Sequence, residues 1–158
     1  FDLKDITNDC WKDIFTLKYN TASNDDGLYF ETGNANSNLI FLYGLGNLVS
    51  EQFPSPYPFE VSKMNKEFEL TLIVNKNQVK LYSDGMFVNE FNFSKFNYNN
   101  LNFIGLVIGG RHMNTDTTRN SKLNLHSLKI YNKALTDKEI AENHKYEQSI
   151  NREGNNRK

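Results

Sequence analysis

Between residues 68 and 91 the chain reads strand, turn, strand, turn, strand, an order that few folds other than antiparallel sheets accommodate. Phe68, Leu70, Leu72 and Val74 alternate with Glu69, Thr71 and Ile73, a period of two that lays one face of a strand against a core. Asn75, Lys76 and Asn77 turn the chain, and residues 78–83 return as a second strand. Asp84-Gly85 then predicts a type I′ hairpin, because both central positions need positive φ, which Asp tolerates and Gly adopts freely. Residues 86–91 complete the meander.

The flanking sequence extends the pattern. Residues 13–19 (DIFTLKY) predict a strand whose period is set by Phe15 and Leu17. Residues 27–32 and 38–43 predict two more, joined by the polar stretch GNANS. The segment from Thr21 to Gly27 (TASNDDG) is a turn rich in Asn, Asp and Ser. Residues 44–61 hold all three prolines, Pro54, Pro56 and Pro58; each lacks a ladder donor, so this is a long surface loop or a ragged edge strand. Residues 101–110 (LNFIGLVIGG) predict a buried strand that stops at its Gly-Gly, and 123–132 a final strand. Residues 1–12 carry no clear period.

A helix is predicted over 136–146. Thr136 is the N-cap and Glu139, three residues on, closes a capping box, with Leu135 and Ile140 at the staple positions. Residues 151–158 are polar and charged and read as a frayed tail. About nine short strands with turns between them and a lone helix predict an all-β chain, a two-sheet antiparallel β-sandwich with one short C-terminal helix. Residues 1–150 form the domain.

Composition narrows the function classes. Aromatic residues make up 13% of the chain, twelve Phe and eight Tyr among them, as suits pleated, half-buried surfaces. The formal net charge of −1 with 23% charged residues argues against a basic nucleic-acid binder. No apolar run reaches the roughly 18 residues of a membrane span. Cys10 is the only cysteine, so no intrachain disulfide forms, and it reads as a small buried hydrophobe. The chain opens at Phe1 without Met, which suggests a mature fragment or an excised module.

The tail and the hairpin carry a family resemblance. Leu128-Lys129-Ile130-Tyr131-Asn132, Lys133-Ala134-Leu135-Thr136 and Asp137-Lys138-Glu139-Ile140 resemble the closing signature of bacterial laminin-G-like lectin domains. Tyr82-Ser83-Asp84-Gly85 resembles the Y-x-D-G hairpin of that group, and Ile108-Gly109-Gly110 its I-G-G strand end. The chain is thus similar to the laminin-G-like or concanavalin-A-like superfamily over about half its length. It departs from the pattern at Leu123, where the family often has Gly, and has no clear counterpart of the early F-T-I-E-F-W-V strand. The resemblance implies that the β-sandwich is a jelly roll, one that binds glycans or proteins and catalyses nothing. It places the chain in a secreted, cell-surface or virion protein, with a cell-surface or matrix glycan as partner and no nucleic acid or membrane insertion. The alternative it leaves open is a structural module of a phage tail, capsid or adhesin that contacts sister subunits. A third is a glycoside hydrolase, since some relatives on this fold are glucanases.

Catalytic patterns are weak. Retaining glycosidases need two carboxyl groups about 5–5.5 Å apart. Glu67 and Glu69 have the i, i+2 spacing that suits one strand face, but the E-x-D-x-x-E run of the resembling glucanases is absent. His112, His126 and His144 lack the H-x-x-x-H or Cys partners of a zinc site, and no G-x-S-x-G is present. Asp25 and Asp26, beside Asn24 and Gly27, could offer hard oxygens, and calcium is the cofactor they suit.

A sugar site needs an exposed ring beside planar polar groups. Two segments qualify: 52–59, where Phe53 and Tyr57 are held by prolines, and 111–119, with Arg111, His112, Asn114, Asp116 and Arg119. Loops on a rigid β scaffold are where binding residues concentrate.

Overall fold

The computed structural model describes residues 2–5, 13–19, 27–32, 40–45, 51–52, 67–92, 103–110 and 122–155. Within them the chain is all-β apart from one helix. Its strands are β1 (Asp2–Asp5), β2 (Asp13–Tyr19), β3 (Gly27–Thr32), β4 (Ile40–Leu45), β5 (Glu51–Gln52), β6 (Leu70–Asn75), β7 (Gln78–Ser83), β8 (Met86–Asn92), β9 (Phe103–Ile108) and β10 (Lys122–Asn124), and the helix is α1 (Asp137–Asn155). All described pairings are antiparallel. They build a five-stranded sheet in the order β5-β4-β3-β2-β9, a three-stranded sheet β6-β7-β8 and the pair β1-β10.

The three-stranded sheet follows from its turns. Lys76 takes φ 54° in the turn between β6 and β7. Asp84 and Gly85 take φ 52° and 75°, both left-handed, so their backbone twist suits the β7–β8 hairpin. Asp84 also grips the strand beside it: its N–H donates to the Glu69 carbonyl at 3.0 Å, and its Oδ1 accepts from the Glu69 N–H at 2.9 Å. The ladder slips once, between Leu81 and Tyr82, where Val88 is the extra residue of a β-bulge. Val79, Leu81 and Tyr82 are buried in this sheet, with Phe68 just ahead of it.

In the five-stranded sheet, β2 lies between β3 and β9. Its buried side chains are Ile14, Thr16 and Lys18, whereas the sequence period favours Phe15 and Leu17, which are half-buried. Gly109, at φ 75°, curls the chain back on β2. Its N–H donates to the Ile14 carbonyl at 2.8 Å, and the Thr16 hydroxyl donates to the Gly110 carbonyl at 3.0 Å. That second bond is what makes a hydroxyl tenable at a fully buried position.

Several bounds differ from the sequence reading, and three of the differences have a visible cause. β4 runs 40–45 rather than 38–43, because its ladder with β3 pairs Ile40 with Thr32 and Leu45 with Gly27. The final strand, expected over 123–132, forms only at Lys122–Asn124, because its ladder with β1 ends at the Asp2–Asn124 pair and a strand needs a partner to bond. The helix, expected to end near residue 146, continues to Asn155. Tyr146 and Ile150 are exposed, so a reading based on buried periodicity stops short of the last turns.

Candidate functional site

The best-defined polar constellation lies where α1 crosses the β7–β8 hairpin. The helix starts as its sequence requires. The Glu139 N–H donates to Thr136 Oγ1 at 3.2 Å, and the Thr136 N–H donates to Glu139 Oε2 at 2.8 Å, the reciprocal bonds of a capping box. Lys133 Nζ adds a contact to Glu139 Oε1 at 2.7 Å. Lys133, followed by the backbone N–H and hydroxyl of Thr136, holds the Glu139 carboxyl down at about 2. Leu135 is half-buried and Ile140 fully buried.

Asp137, Ile140 and His144 recur at a spacing that shares one helix face, and this face meets the hairpin. The Tyr82 hydroxyl donates to Asp137 Oδ1 at 2.7 Å. Burial of the ring, reinforced by that bond, pushes the Tyr82 hydroxyl up to about 12. Phe87 meets the Tyr82 ring edge-on, centroids 5.5 Å apart. Two turns along, His144 sits against Gly85, where an added Cβ would come within 2.8 Å of the His144 Cβ. His144 Nδ1 is 2.9 Å from Glu69 Oε2, and its Nε2 is 2.9 Å from Gln148 Nε2. The chain leading into the helix is tied down alongside. Lys129 pairs with Glu147, which raises the Lys129 ammonium above the ordinary lysine range, and Asn143 Nδ2 donates to the Tyr131 hydroxyl at 3.2 Å.

Beside this junction opens a groove of about 910 Å³. Its lining includes Phe15 and Leu17 of β2, Leu106 of β9, Leu70 and Leu72 of β6, residues 125–135, Glu69 and His144. The volume falls within the range of small-molecule sites.

Phe53, Tyr57, Arg111, His112, Asn114, Asp116, Arg119, Asp25 and Asp26 are outside the described residues, as are Cys10 and Trp11. Of the paired acids, Glu67 is exposed, while Glu69 is half-buried and its carboxylate is engaged by His144 and, at 3.4 Å, by the Thr71 hydroxyl. Among the described residues no group of three or more His, Cys, Asp or Glu could hold a metal ion, and no helix is long and apolar enough to cross a membrane. The sequence reading missed the Glu69–His144 and Tyr82–Asp137 pairs. The hairpin glycine and the capped helix were both visible, but nothing local links partners 75 and 55 residues apart.

Comparison with known proteins adds little. No protein-family profile and no curated protein matches the chain. A crystal structure of an S-layer domain-containing protein from Clostridium thermocellum aligns at 17% identity with a TM-score of 0.39, over 91% of this chain and 67% of that one.

Proposed function

We propose that this chain is a non-catalytic recognition module built on a two-sheet sandwich of laminin-G-like type, which binds carbohydrate through its loop tips at a cell, matrix or virion surface. The observation that carries the reading is the junction of helix and hairpin. The two motif groups behind the family resemblance, Tyr82–Gly85 and 128–140, meet there, and one polar pair joins them, the Tyr82 hydroxyl with Asp137. These motifs hold a scaffold together, so recognition is left to the connecting segments around Phe53 and Tyr57 and from Arg111 to Arg119. The stacking of two sheets is supported by the groove that β2 and β9 share with β6, since facing sheets enclose such a space. Calcium at Asp25 and Asp26 would order one of the tips.

The test is a glycan array on the isolated chain with and without calcium. Density-dependent binding of a defined sugar class, lost in Arg111→Ala or Tyr57→Ala, supports the proposal. No glycan bound at any density refutes it. A second reading, an assembly module that contacts sister subunits, draws on the exposed Leu125, Leu128, Ile130 and Tyr131, a cluster of apolar groups that marks interaction surfaces. Size-exclusion chromatography with light scattering separates it from a monomeric binder.

A further inference from the structure

Phe87 is 52% exposed, although it shares a hairpin face with the buried Tyr82. The β-bulge decides what surrounds it. In the β7–β8 ladder Tyr82 stands opposite Phe87, and Lys80 opposite Glu90. Lys80 and Tyr82 point to one face because side chains alternate along β7. Val88, the extra residue of β8, brings Phe87 and Glu90 onto that same face although they are three positions apart; bulges re-aim side chains in this way. Without it Glu90 would lie on the opposite side. Burial, then Asp137, then Glu90 hold the proton on the Tyr82 hydroxyl, which places the Glu90 carboxylate within electrostatic reach of the ring pair. From α1, Asp137 Oδ1 accepts the Tyr82 hydroxyl at 2.7 Å.

We propose that Phe87 is a stacking platform for one neutral pyranose unit of a carbohydrate, with Lys80 and Glu90 binding its hydroxyls. This rests on the carbohydrate reading and adds to the loop tips a contact on the hairpin itself. A lone exposed ring carries little information; the frame around this one does. Tyr82 braces the Phe87 ring edge-on, centroids 5.5 Å apart, so little freedom is lost in fixing it. Lys80 Nζ and Glu90 Oε2 are 3.7 Å apart and partly exposed, too far for a hydrogen bond. The ammonium donors and the carboxylate oxygens therefore face water beside the ring. A pyranose has an apolar C–H face that matches a ring and a rim of hydroxyls that both donate and accept, and the Lys80–Glu90 pair supplies both complements. An apolar peptide side chain seated on Phe87 would strip water from that pair without replacing its hydrogen bonds, which is costly. The chemistry of the frame thus favours a sugar over a protein contact.

The test compares glycan-array binding of the unaltered chain with that of Phe87→Ala, Phe87→Trp and Glu90→Ala, each checked for parental circular dichroism. Phe87→Ala is expected to weaken binding of the recognised sugar about tenfold or more, as loss of a central ring does. Glu90→Ala, at an exposed position, is expected to weaken it about two- to tenfold through lost hydrogen bonds. Phe87→Trp is expected to keep binding, and its indole emission to move to shorter wavelength as the sugar excludes water, beyond any change in the parent, which carries only Trp11. That readout decides the matter even where Phe87→Ala fails to fold. Unchanged affinity in Phe87→Ala and Glu90→Ala, or no added emission shift in a sugar-bound Phe87→Trp, overturns the platform; the carbohydrate reading then stands on the loop variants Tyr57→Ala and Arg111→Ala. An unaltered chain that binds no glycan overturns both.

Discussion

Replacing Gly85 with Ala tests the junction on which the functional reading depends. Two costs are expected. Gly85 sits at φ 75°, where an L-residue loses about 1–2 kcal/mol relative to its favoured backbone. The new Cβ would also lie 2.8 Å from the His144 Cβ. That atom is the first of its side chain and cannot swing away, so α1 itself has to move, at the roughly 1–3 kcal/mol of an overpacked contact. Movement of the helix also stretches the Glu69–His144 contact. The expected loss is therefore roughly 2–5 kcal/mol, read as a lower urea midpoint with an unchanged slope, or as a melting temperature lower by at least about 4 °C for a chain of this size. Gly85→Asn separates the two costs, because Asn tolerates the left-handed backbone but still carries a Cβ. It should recover part of the loss and no more. A loss below about 1 kcal/mol in Gly85→Ala, or an Asn variant as stable as the parent, refutes the close packing of helix on turn.

Tyr82→Phe keeps the buried ring and its contact with Phe87 but removes the bond to Asp137; since Asp137 is exposed and water can replace the donor, the expected loss is about 1–2 kcal/mol by urea unfolding. The same hydroxyl gives the parent an alkaline signature. Its pKa of about 12 in the folded chain lies above the ordinary tyrosine value of about 10, so its contribution is complete below pH 10 and disappears as pH rises toward 12, and Tyr82→Phe should lack that decline. Thr136→Ala should cost about 1 kcal/mol through the lost cap, measured by thermal melting. Glu139 titrates near 2 in the folded chain against about 4.3 when unfolded, so its contribution is present above that ordinary value and is lost as pH falls toward 2. The stability gap between the parent and Glu139→Gln should close over that acid window, and a gap that persists at pH 2 contradicts the capping-box geometry.

How far the sequence could be read depended on whether a feature was local. The 68–92 meander was legible because its determinants lie within a few residues of one another: alternation in β6, and a two-residue turn whose φ requirements name Asp and Gly. The helix start was legible for the same reason, since Thr136 and Glu139 satisfy each other. The end of β10 was not legible. LNLHSLKIYN keeps strand-like alternation to residue 132, but whether it forms a ladder depends on β1, about 120 residues away, which supplies only four residues. The helix–hairpin pairs were hidden by the same separation, and the loop residues proposed for sugar binding fall outside the described chain.

β2 shows why alternation misleads at the centre of a sheet. Period-two reasoning assumes one wet face and one dry face, and so favours the face of Phe15 and Leu17, which set the period. In the structure β2 has a neighbour on each edge, β3 and β9, and both of its faces are shielded: Ile14, Thr16 and Lys18 are buried, while Phe15 and Leu17 are half-buried and line the groove. A strand covered on both sides no longer needs its largest side chains on the more buried face. It needs each polar group there to be bonded, as the bond from Thr16 to the Gly110 carbonyl shows. The glycine pair that ends β9 therefore has a role that strand termination alone does not capture. The left-handed turn at Gly109 brings the Gly110 carbonyl over β2, and so permits the polar residue that the sequence pattern had placed on the wrong face.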